Sequence, residues 1–351
     1  MDEIKLSIVL PLYNGERTIA RTLDSIAAQD FRYPYEIVIV NDNSTDKSLE
    51  EVSKYLSILP IHLINVNLDV HCAGNSRNIG IDASRGEWVT FIDHDDEFEP
   101  NAFNTVFDII EANFLEYICC TTLYEYNEVT GDTAHHTELH DNIDVWMHGK
   151  YYHKENLLDA YNLRFKTNLK YLEDLYFNCR TIEILFDIGI INKPTFSYYT
   201  VETYKWYEHP YSTHSKVVEG GYNFNLWGLA NYYCEDVLEP IIRMAKKCRN
   251  KESLNALTRI AYADIAYVYV NYNVLMYYYT RQDVIVGVLA NNVCKYIPQI
   301  LQLLPITNIF DYVTATIETT IRNSGFSDEE IQKVITMSFP EWWCMMLTHC
   351  N

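Results

Sequence analysis

The sequence predicts an α/β fold with a mostly parallel sheet, helices on both faces of that sheet, and a C-terminal helical region. In the first hundred residues, short β-branched apolar runs alternate with segments of helical period. After about Gly220 the pattern changes to long helical segments. Strands joined by helical crossovers are typical of βαβ units, whose helices cover both faces of a parallel sheet.

Four strands and three helices are predicted in this first part of the chain. The strands are Leu6–Leu10, Glu36–Val40, Ile61–Val66 and Trp88–Ile92. The helices between them are Glu16–Gln29, Thr45–Leu56 and Asn75–Ser84. Later helical segments are expected over Ser253–Tyr279 and Asp283–Leu304, and Ser327–Glu330 resembles a capping box.

Composition excludes some classes of partner. The chain has 27 Lys and Arg against 48 Asp and Glu, so its net charge of −21 repels nucleic acid and anionic membrane surfaces. Nine Cys without a CxxC pair favour free thiols in a reducing cytoplasm. Neither a signal peptide nor an uncharged run of transmembrane length is recognisable. We therefore expect a cytoplasmic protein that binds no nucleic acid and has no transmembrane segment.

Polar residues gather where the predicted strands end. These segments are Pro11–Asn14, Asn41–Ser44, Asn65–Asn67 and the acidic stretch Asp93–Glu97. In open α/β sheets, ligands bind beyond the carboxyl ends of the strands. Crowded carboxylates repel one another, so the acidic stretch predicts either a bound cation or a fully solvated loop.

Five motifs occur in order along the chain: SIVLPLYN, VIVNDNSTD, GNSRNIG, FIDHDDE and LED. Together they resemble the inverting nucleotide-sugar glycosyltransferases of family 2, which have the GT-A fold, over roughly residues 5–215. The resemblance implies a UDP-sugar donor, a carbohydrate-type acceptor, and Mn²⁺ or Mg²⁺ as cofactor. It also implies a GT-A domain over 1–218, with a donor half at about 1–100 and an acceptor half at about 101–218, before a helical domain over 219–351.

The resemblance assigns the nucleotide to residues of the first three motifs. Asp42 is expected to accept the ring N–H of uracil, and Tyr13 to lie beside the base. Asp42 or Ser44 is also expected to cap the following helix, a role compatible with binding the base. Arg77 is expected to bind the pyrophosphate or a base carbonyl, although it could instead pair with local carboxylates. The other expected contacts in these motifs are Pro11, Asn14 and Asn78.

The acidic stretch is expected to hold the cation. In an extended segment Asp93 and Asp95 point to one side and His94 points away. By resemblance, Asp93 contacts the ribose or the sugar, Asp95 binds Mn²⁺ or Mg²⁺ with Asp93 as a second ligand, and His94 belongs to the donor site. Asp96 receives no role. The alternative is a solvated acidic turn.

The LED motif is expected to supply the general base at the start of a helix. The resemblance makes Asp174 the base and gives Glu173 the role of positioning the acceptor. The alternative is that Asp174 is only a helix N-cap. Lys205, His209 and Ser212 are expected to contact the diphosphate from a mobile loop over Thr200–Lys216.

Other interpretations stay open. His135, His136, Glu138 and His140 are metal-ligand types, but they lack the spacing of a zinc site. The Tyr-rich run over Ala261–Tyr279 predicts a helical core or a homo-oligomer interface, with acceptor binding as the alternative. A catalytically silent carbohydrate-binding or scaffold protein and a nucleotidyltransferase are the alternative functions.

Overall fold

The computed structural model describes residues 3–136, 147–167, 169, 173–209, 234–278, 295–296, 298–300, 302–303 and 337–349. Ser212, Glu138, His140 and the segment Ser327–Glu330 lie outside the described residues. So does most of the predicted helix over Asp283–Leu304.

The strands follow the predicted order at the N-terminal end and continue beyond it. They are β1 Leu6–Leu12, β2 Tyr35–Asp42, β3 Ile61–Val66, β4 Trp88–Phe91, β5 Glu97–Phe98, β6 Ile118–Asn127, β7 Thr133–His136, β8 Lys150–His153 and β9 Tyr199–Glu208. Each of the four predicted strands is confirmed, with bounds that differ by at most two residues at an end.

These strands form one sheet in the order β3-β2-β1-β4-β8-β6-β9-β5, and β7 pairs with β6. The four strands β3, β2, β1 and β4 are parallel. From β8 onward the sheet is mixed, since β8 is antiparallel to both β4 and β6, whereas β9 is parallel to β6. The parallel half aligns the carboxyl ends of β1, β2 and β4 at one edge, where the polar motifs begin.

The first two helices are shorter at both ends than the periodicity predicts, whereas the helices predicted to begin at Asn75 and Ser253 begin two residues earlier. They are α1 Ile19–Ala27, α2 Ser48–Ser53, α3 Ala73–Ala83, α4 Ala102–Asn113, α5 Glu173–Asp187, α6 Glu239–Lys247, α7 Lys251–Tyr278 and α8 Phe339–His349. Single π-helical turns lie at Lys154–Asp159 and Cys234–Leu238. Helix α2 has six residues because the Asn and Ser residues after β2 form a loop rather than a first helical turn.

Helices cover both faces of the parallel strands, as predicted. Alternate residues of β1, from Leu6 to Leu12, share a buried apolar cluster with residues of α1, α2 and α4. On the other face, a Cβ atom at Gly80 of α3 would lie 2.3 Å from a methyl group of Val9. Helix α3 therefore needs glycine at this point to approach the sheet closely enough.

The chain divides into two compact units. The first comprises Met1–Leu139, Val145–Asn178 and Phe196–Lys216, and it contains the sheet. The second comprises His140–Asp144, Cys179–Thr195 and Val217–Asn351, and its described part is largely helical. The predicted domain boundary at 218 stays a prediction, and so does an oligomer formed through the C-terminal helices.

The predicted mobile loop over Thr200–Lys216 is wrong for its first half. Residues Tyr199–Glu208 form β9, which pairs with β6 and with β5. The alternating run of aromatic and polar residues here is a strand signal. The rest of the predicted loop, from residue 210 onward, lies outside the described residues.

Two findings concern the predicted cellular location. No helix in the described part of the chain is both long and apolar enough to span a membrane. Among the described cysteines, six are thiols rather than halves of a disulfide: Cys72, Cys119, Cys120, Cys179, Cys248 and Cys344. The cytoplasmic location itself stays a prediction.

Candidate active site

Hydrogen bonds join the loops that follow β1 and β2. The Asn14 N–H donates to Ser44 Oγ at 3.0 Å, and the Thr45 N–H donates to Asn14 Oδ1 at 2.8 Å. Asn14 and Asn43 have φ angles of 51° and 55°, which asparagine tolerates better than most residues. Pro11 is buried within β1. The Asn14 side chain therefore holds the two loops together at the edge of the sheet.

Asp42 lies at the end of β2, and its carboxylate is buried. Its Oδ1 accepts the Leu68 N–H at 3.0 Å, and its Oδ2 lies 2.7 Å from Nδ1 of His71. The His71 ring is stacked on Tyr13, with 5.4 Å between ring centroids. Helix α2 begins at Ser48 after Lys47, without a side-chain cap, so capping by Asp42 or Ser44 is wrong. Tyr13 thus contacts the face of the His71 ring, and Asp42 contacts its Nδ1 edge.

The acidic segment after β4 is a turn rather than the extended segment that the sequence predicted. The Asp96 N–H donates to the Asp93 carbonyl at 3.2 Å, which closes the turn. As a result, Asp96 lies beside Asp93 and faces His148 from the loop before β8. Oxygen and nitrogen atoms of these three side chains lie within 4.8 Å of one another.

Asp96 is a buried hydrogen-bond acceptor. Its Oδ2 accepts the hydroxyl of Tyr204 at 2.6 Å, and its Oδ1 accepts the Tyr207 N–H at 2.9 Å. Burial, together with the nearby charges of Asp95 and Asp93, raises the pKa of Asp96 well above its ordinary value. Asp96 therefore fixes the acidic turn to β9 and tends toward the neutral form.

Arg77 connects the acidic turn to the start of α5. Its side chain is buried; one guanidinium nitrogen donates to Asp93 at 2.7 Å and another to Glu173 at 3.0 Å. Burial opposes the charge on Asp93, but Arg77 and His148 outweigh burial and hold the pKa of Asp93 well below its usual range. Direct binding of the nucleotide by Arg77 stays a prediction, and the contacts favour the alternative of pairing with carboxylates.

Glu173 and Asp174 lie in the first turn of α5, where the sequence predicted a helix start. Burial and the charge of Asp174 raise the pKa of Glu173 to about 8, although Arg77 lowers it. Burial also raises the pKa of Asp174, against the opposing effects of Arg77 and His148. A carboxylate with a raised pKa in this position is suited to accept a proton.

Asp95 and His94 leave the acidic turn in different directions. Oδ2 of Asp95 lies 2.9 Å from Nε2 of His209, the residue just after β9. Burial opposes the charge on Asp95, but His94 and the His209 hydrogen bond lower its pKa. Nδ1 of His94 lies 3.0 Å from the Thr18 hydroxyl, near the loop after β1. The structure thus brings Asp95 and His209 together.

Two predicted donor-site residues have other contacts. Lys205 lies on β9 next to Tyr204, and successive strand side chains point to opposite faces. Its ammonium group lies 3.8 Å from Glu97 and over the ring of Tyr126, so the structure does not bring it to Asp93. Asn78 exchanges hydrogen bonds with the backbone of Phe165 at 2.9 and 2.8 Å, which ties α3 to the segment before α5.

Sequence reasoning did not assign roles to His148, Tyr204 or His71. His148 stacks on Tyr204, with 4.5 Å between ring centroids, and lies 3.3 Å from Asp93. Gly149 has a φ angle of +68°, and a Cβ there would lie 2.8 Å from the Thr121 carbonyl. The sequence contained one signal for His148. A histidine that directly precedes a turn glycine and a strand has its side chain at the edge of that strand.

The sheet with its flanking helices and the carboxylates at one edge define an α/β domain with a ligand site at the carboxyl ends of its strands. Residues 7–170 match the model of the family described as Glycosyl transferase family 2. Residues 7–170, just under half of the chain, thus correspond to a glycosyl transferase family 2 domain, and the sheet with flanking helices is a GT-A fold.

Two relatives show the extent of this similarity. The poly(ribitol-phosphate) beta-N-acetylglucosaminyltransferase TarS of Staphylococcus aureus is 28% identical over 201 residues, which are 52% of this chain and 34% of TarS. Glycosyltransferase GlyA of Streptococcus pneumoniae is 29% identical over 194 residues, 53% of this chain and 26% of GlyA. The matched part thus spans about a third or less of these relatives.

Solved structures of TarS residues 1–349 have the same fold. The complex with UDP aligns at a TM-score of 0.60 and 19% identity, covering 92% of this chain and 90% of that one. The complex with UDP-GlcNAc also aligns at a TM-score of 0.60, with 18% identity. At these identities the likeness establishes the fold.

The Arg77 bridge gives the first testable prediction. Arg77→Ala leaves the carboxylates of Asp93 and Glu173 without their shared cation, so we expect the free energy of unfolding to fall by about 3 to 5 kcal/mol. Lys54→Ala, which removes an exposed ion pair with Glu51, is the control and should cost less than about 1 kcal/mol. Urea unfolding measures both, and equal small losses would contradict a structural role for Arg77.

Proposed function

We propose that the protein transfers a sugar from a UDP-sugar to a hydroxyl group of a glycan or glycoconjugate, with inversion at the anomeric carbon. The observation that carries this proposal is the Arg77 bridge, which joins the acidic turn after β4 to the carboxylate pair at the start of α5. A donor-side acid and a candidate base are thus held at one edge of a parallel sheet, where α/β folds bind ligands. The family 2 domain supports the same reaction class.

The proposed donor is UDP-linked. The TarS structures contain UDP and UDP-GlcNAc, and this chain has the same fold. Asp42 supplies a buried carboxylate oriented by the Leu68 N–H, and it would accept the N3–H of uracil. Tyr13 is half exposed, stacks on the His71 ring that contacts Asp42, and would offer a flat face to the base.

A divalent cation fits the pair Asp95 and His209 best. Of the compact group Asp93, Asp96 and His148, Asp96 already accepts hydrogen bonds at both carboxylate oxygens, from the Tyr204 hydroxyl and the Tyr207 N–H. A carboxylate and an imidazole suit Mn²⁺ better than Mg²⁺, which prefers oxygen ligands. Asp93 stays a proposed contact to the cation, the ribose or the sugar. When bound, the cation would neutralise charge on the leaving UDP.

The chain's own residues account for the acceptor side of the proposed reaction. Asp174 would accept the proton of the acceptor hydroxyl as its oxygen attacks the anomeric carbon from the face opposite UDP. Glu173, fixed by Arg77, would position the acceptor and keep Asp174 in place. Burial raises the pKa of Asp174, which strengthens its affinity for that proton.

The charge of the chain bears on the acceptor class. Poly(ribitol phosphate), named in the description of TarS, is a polyanion. A net charge of −21 disfavours the approach of such a polymer. We therefore propose an uncharged sugar chain or a glycoconjugate as the acceptor of this protein.

A panel of nucleotide sugars tests the proposal against its two alternatives. With a UDP-sugar and Mn²⁺, the proposed enzyme releases UDP by slow hydrolysis or by transfer to an added oligosaccharide. A nucleotidyltransferase would instead release pyrophosphate from UTP, and a silent binding protein would release neither product. Absence of UDP release and of UDP binding across the panel would refute the proposal.

The base assignment predicts that transfer and donor binding separate in Asp174→Asn. Transfer should fall by about 10² to 10⁴, because the amide cannot accept the proton, while the UDP dissociation constant should change little. In the parent, transfer should fall as pH drops through the raised pKa of Asp174, because protonation removes the base.

Asp108→Asn, at an exposed carboxylate of α4, is the matched control and should retain parental transfer. Melting curves of both variants should resemble that of the parent. Near-parental transfer by Asp174→Asn would exclude Asp174 as the base.

The cation assignment predicts that UDP binding depends on both Asp95 and His209. Asp95→Asn and His209→Ala should each lose the gain in UDP affinity that Mn²⁺ gives the parent, because each removes a ligand. His136→Ala, at a histidine of β7 beside Glu125, is the control. Calorimetry with and without EDTA measures the gain, and a Mn²⁺ effect that persists in both site variants would contradict the assignment.

A further inference from the structure

His71 lies in the loop between β3 and α3, and its ring makes two contacts. Nδ1 is 2.7 Å from Oδ2 of Asp42, and the ring stacks on Tyr13 with an angle of 16° between the planes. Since an ionised carboxylate only accepts hydrogen bonds, we assign the proton to Nδ1 of His71. Tyr13 and His71 are both about half exposed, so this stack forms part of the surface.

The same two contacts are those that the proposed function gives to a uracil base. A uracil would donate its N3–H to Asp42 and lay its flat ring against Tyr13. His71 already supplies a flat heteroaromatic ring with an N–H directed at Asp42. The imidazole therefore mimics a nucleobase that is bound at this edge of the sheet.

We propose that His71 occupies the nucleobase position and that the base of the donor must displace it. This inference rests on the proposed function, because it takes the donor to be a UDP-sugar. His71 would then influence the affinity for the donor. A protein molecule whose base site is occupied by the imidazole cannot bind the base until the imidazole leaves.

The surroundings of Asp42 allow such an exchange. The Leu68 N–H holds Oδ1 of Asp42 at 3.0 Å independently of His71, so the carboxylate keeps its orientation when the imidazole leaves. Asn75 of α3 donates to the Val70 carbonyl at 3.1 Å, which anchors the loop next to His71. Rotation of one exposed side chain, rather than movement of the loop, is then sufficient to open the site.

Competition of this kind lowers the apparent affinity by the fraction of molecules that are open. If His71 occupies the site in about nine-tenths of the molecules, its removal should tighten UDP binding about tenfold. The effect should be confined to ligands that carry the base, because the contact between His71 and Asp42 does not involve the diphosphate.

The experiment compares parent, His71→Ala and His62→Ala by calorimetry with UDP, UMP and inorganic pyrophosphate. His62 is an exposed histidine of β3 and serves as the matched control. We expect His71→Ala to bind UDP and UMP about tenfold more tightly, with pyrophosphate binding unchanged and His62→Ala equal to the parent. Both variants should stay folded at the temperature of the titration, and the melting curve of His71→Ala should differ from that of the parent by no more than the loss of the single contact with Asp42.

Equal or weaker UDP binding by His71→Ala would overturn the inference, since it would mean that His71 is absent from the base position or supports the base there. A gain that extended equally to pyrophosphate would also overturn it, because the competition would not be for the base. A parent protein that binds neither UDP nor UMP would refute the proposed function itself, which distinguishes that failure from a failure of the role of His71 alone.

Discussion

The arrangement of the site depends on one buried cation, the guanidinium of Arg77. It lies between the carboxylates of Asp93 and Glu173, which are 80 residues apart along the chain. Asp93 follows β4, and Glu173 is the first residue of α5. Two carboxylates at this depth would repel one another and favour protonation. With the guanidinium between them, Asp93 stays ionised, and the candidate base beside Glu173 is held near the donor edge of the sheet.

The pKa shifts within this cluster go in opposite directions, and contacts explain the difference. Against the effect of burial, Arg77 lowers the pKa of Asp93, whereas burial and the charges of Asp95 and Asp93 raise the pKa of Asp96 by more than the Tyr204 hydroxyl and the Tyr207 N–H lower it. Asp96 therefore serves as an anchor, and Asp93 and Asp95 retain the negative charge of the turn. Neighbouring carboxylates with different environments can take different roles, which is how acid and base functions are separated at one pH.

The sequence predicted the parallel strands, the helices on both faces and the start of α5 because each has a local periodic signal. It left an extended segment and an acidic turn as alternatives for Asp93–Asp96, since the pattern of four polar residues fits both. The partners of Arg77, Asn78 and Lys205 could not be read from the chain either. Each residue's type allowed both ligand binding and structural pairing, and only tertiary contacts distinguish these roles. His71 gave no signal, because its meaning depends on Tyr13 and Asp42.

Charge balance connects these observations to the proposed donor. A nucleotide diphosphate is anionic, and it would approach a turn that keeps two negative carboxylates on a chain of net charge −21. Among the described residues around Asp93, the guanidinium of Arg77 already bonds to two carboxylates, and the ammonium group of Lys205 lies beside Glu97. Both of these cations are engaged by carboxylates of the protein, so additional positive charge would favour binding of the diphosphate. A divalent cation on Asp95 and His209 would supply this positive charge. The cation would attract both the carboxylates of the turn and the phosphates, which otherwise repel one another.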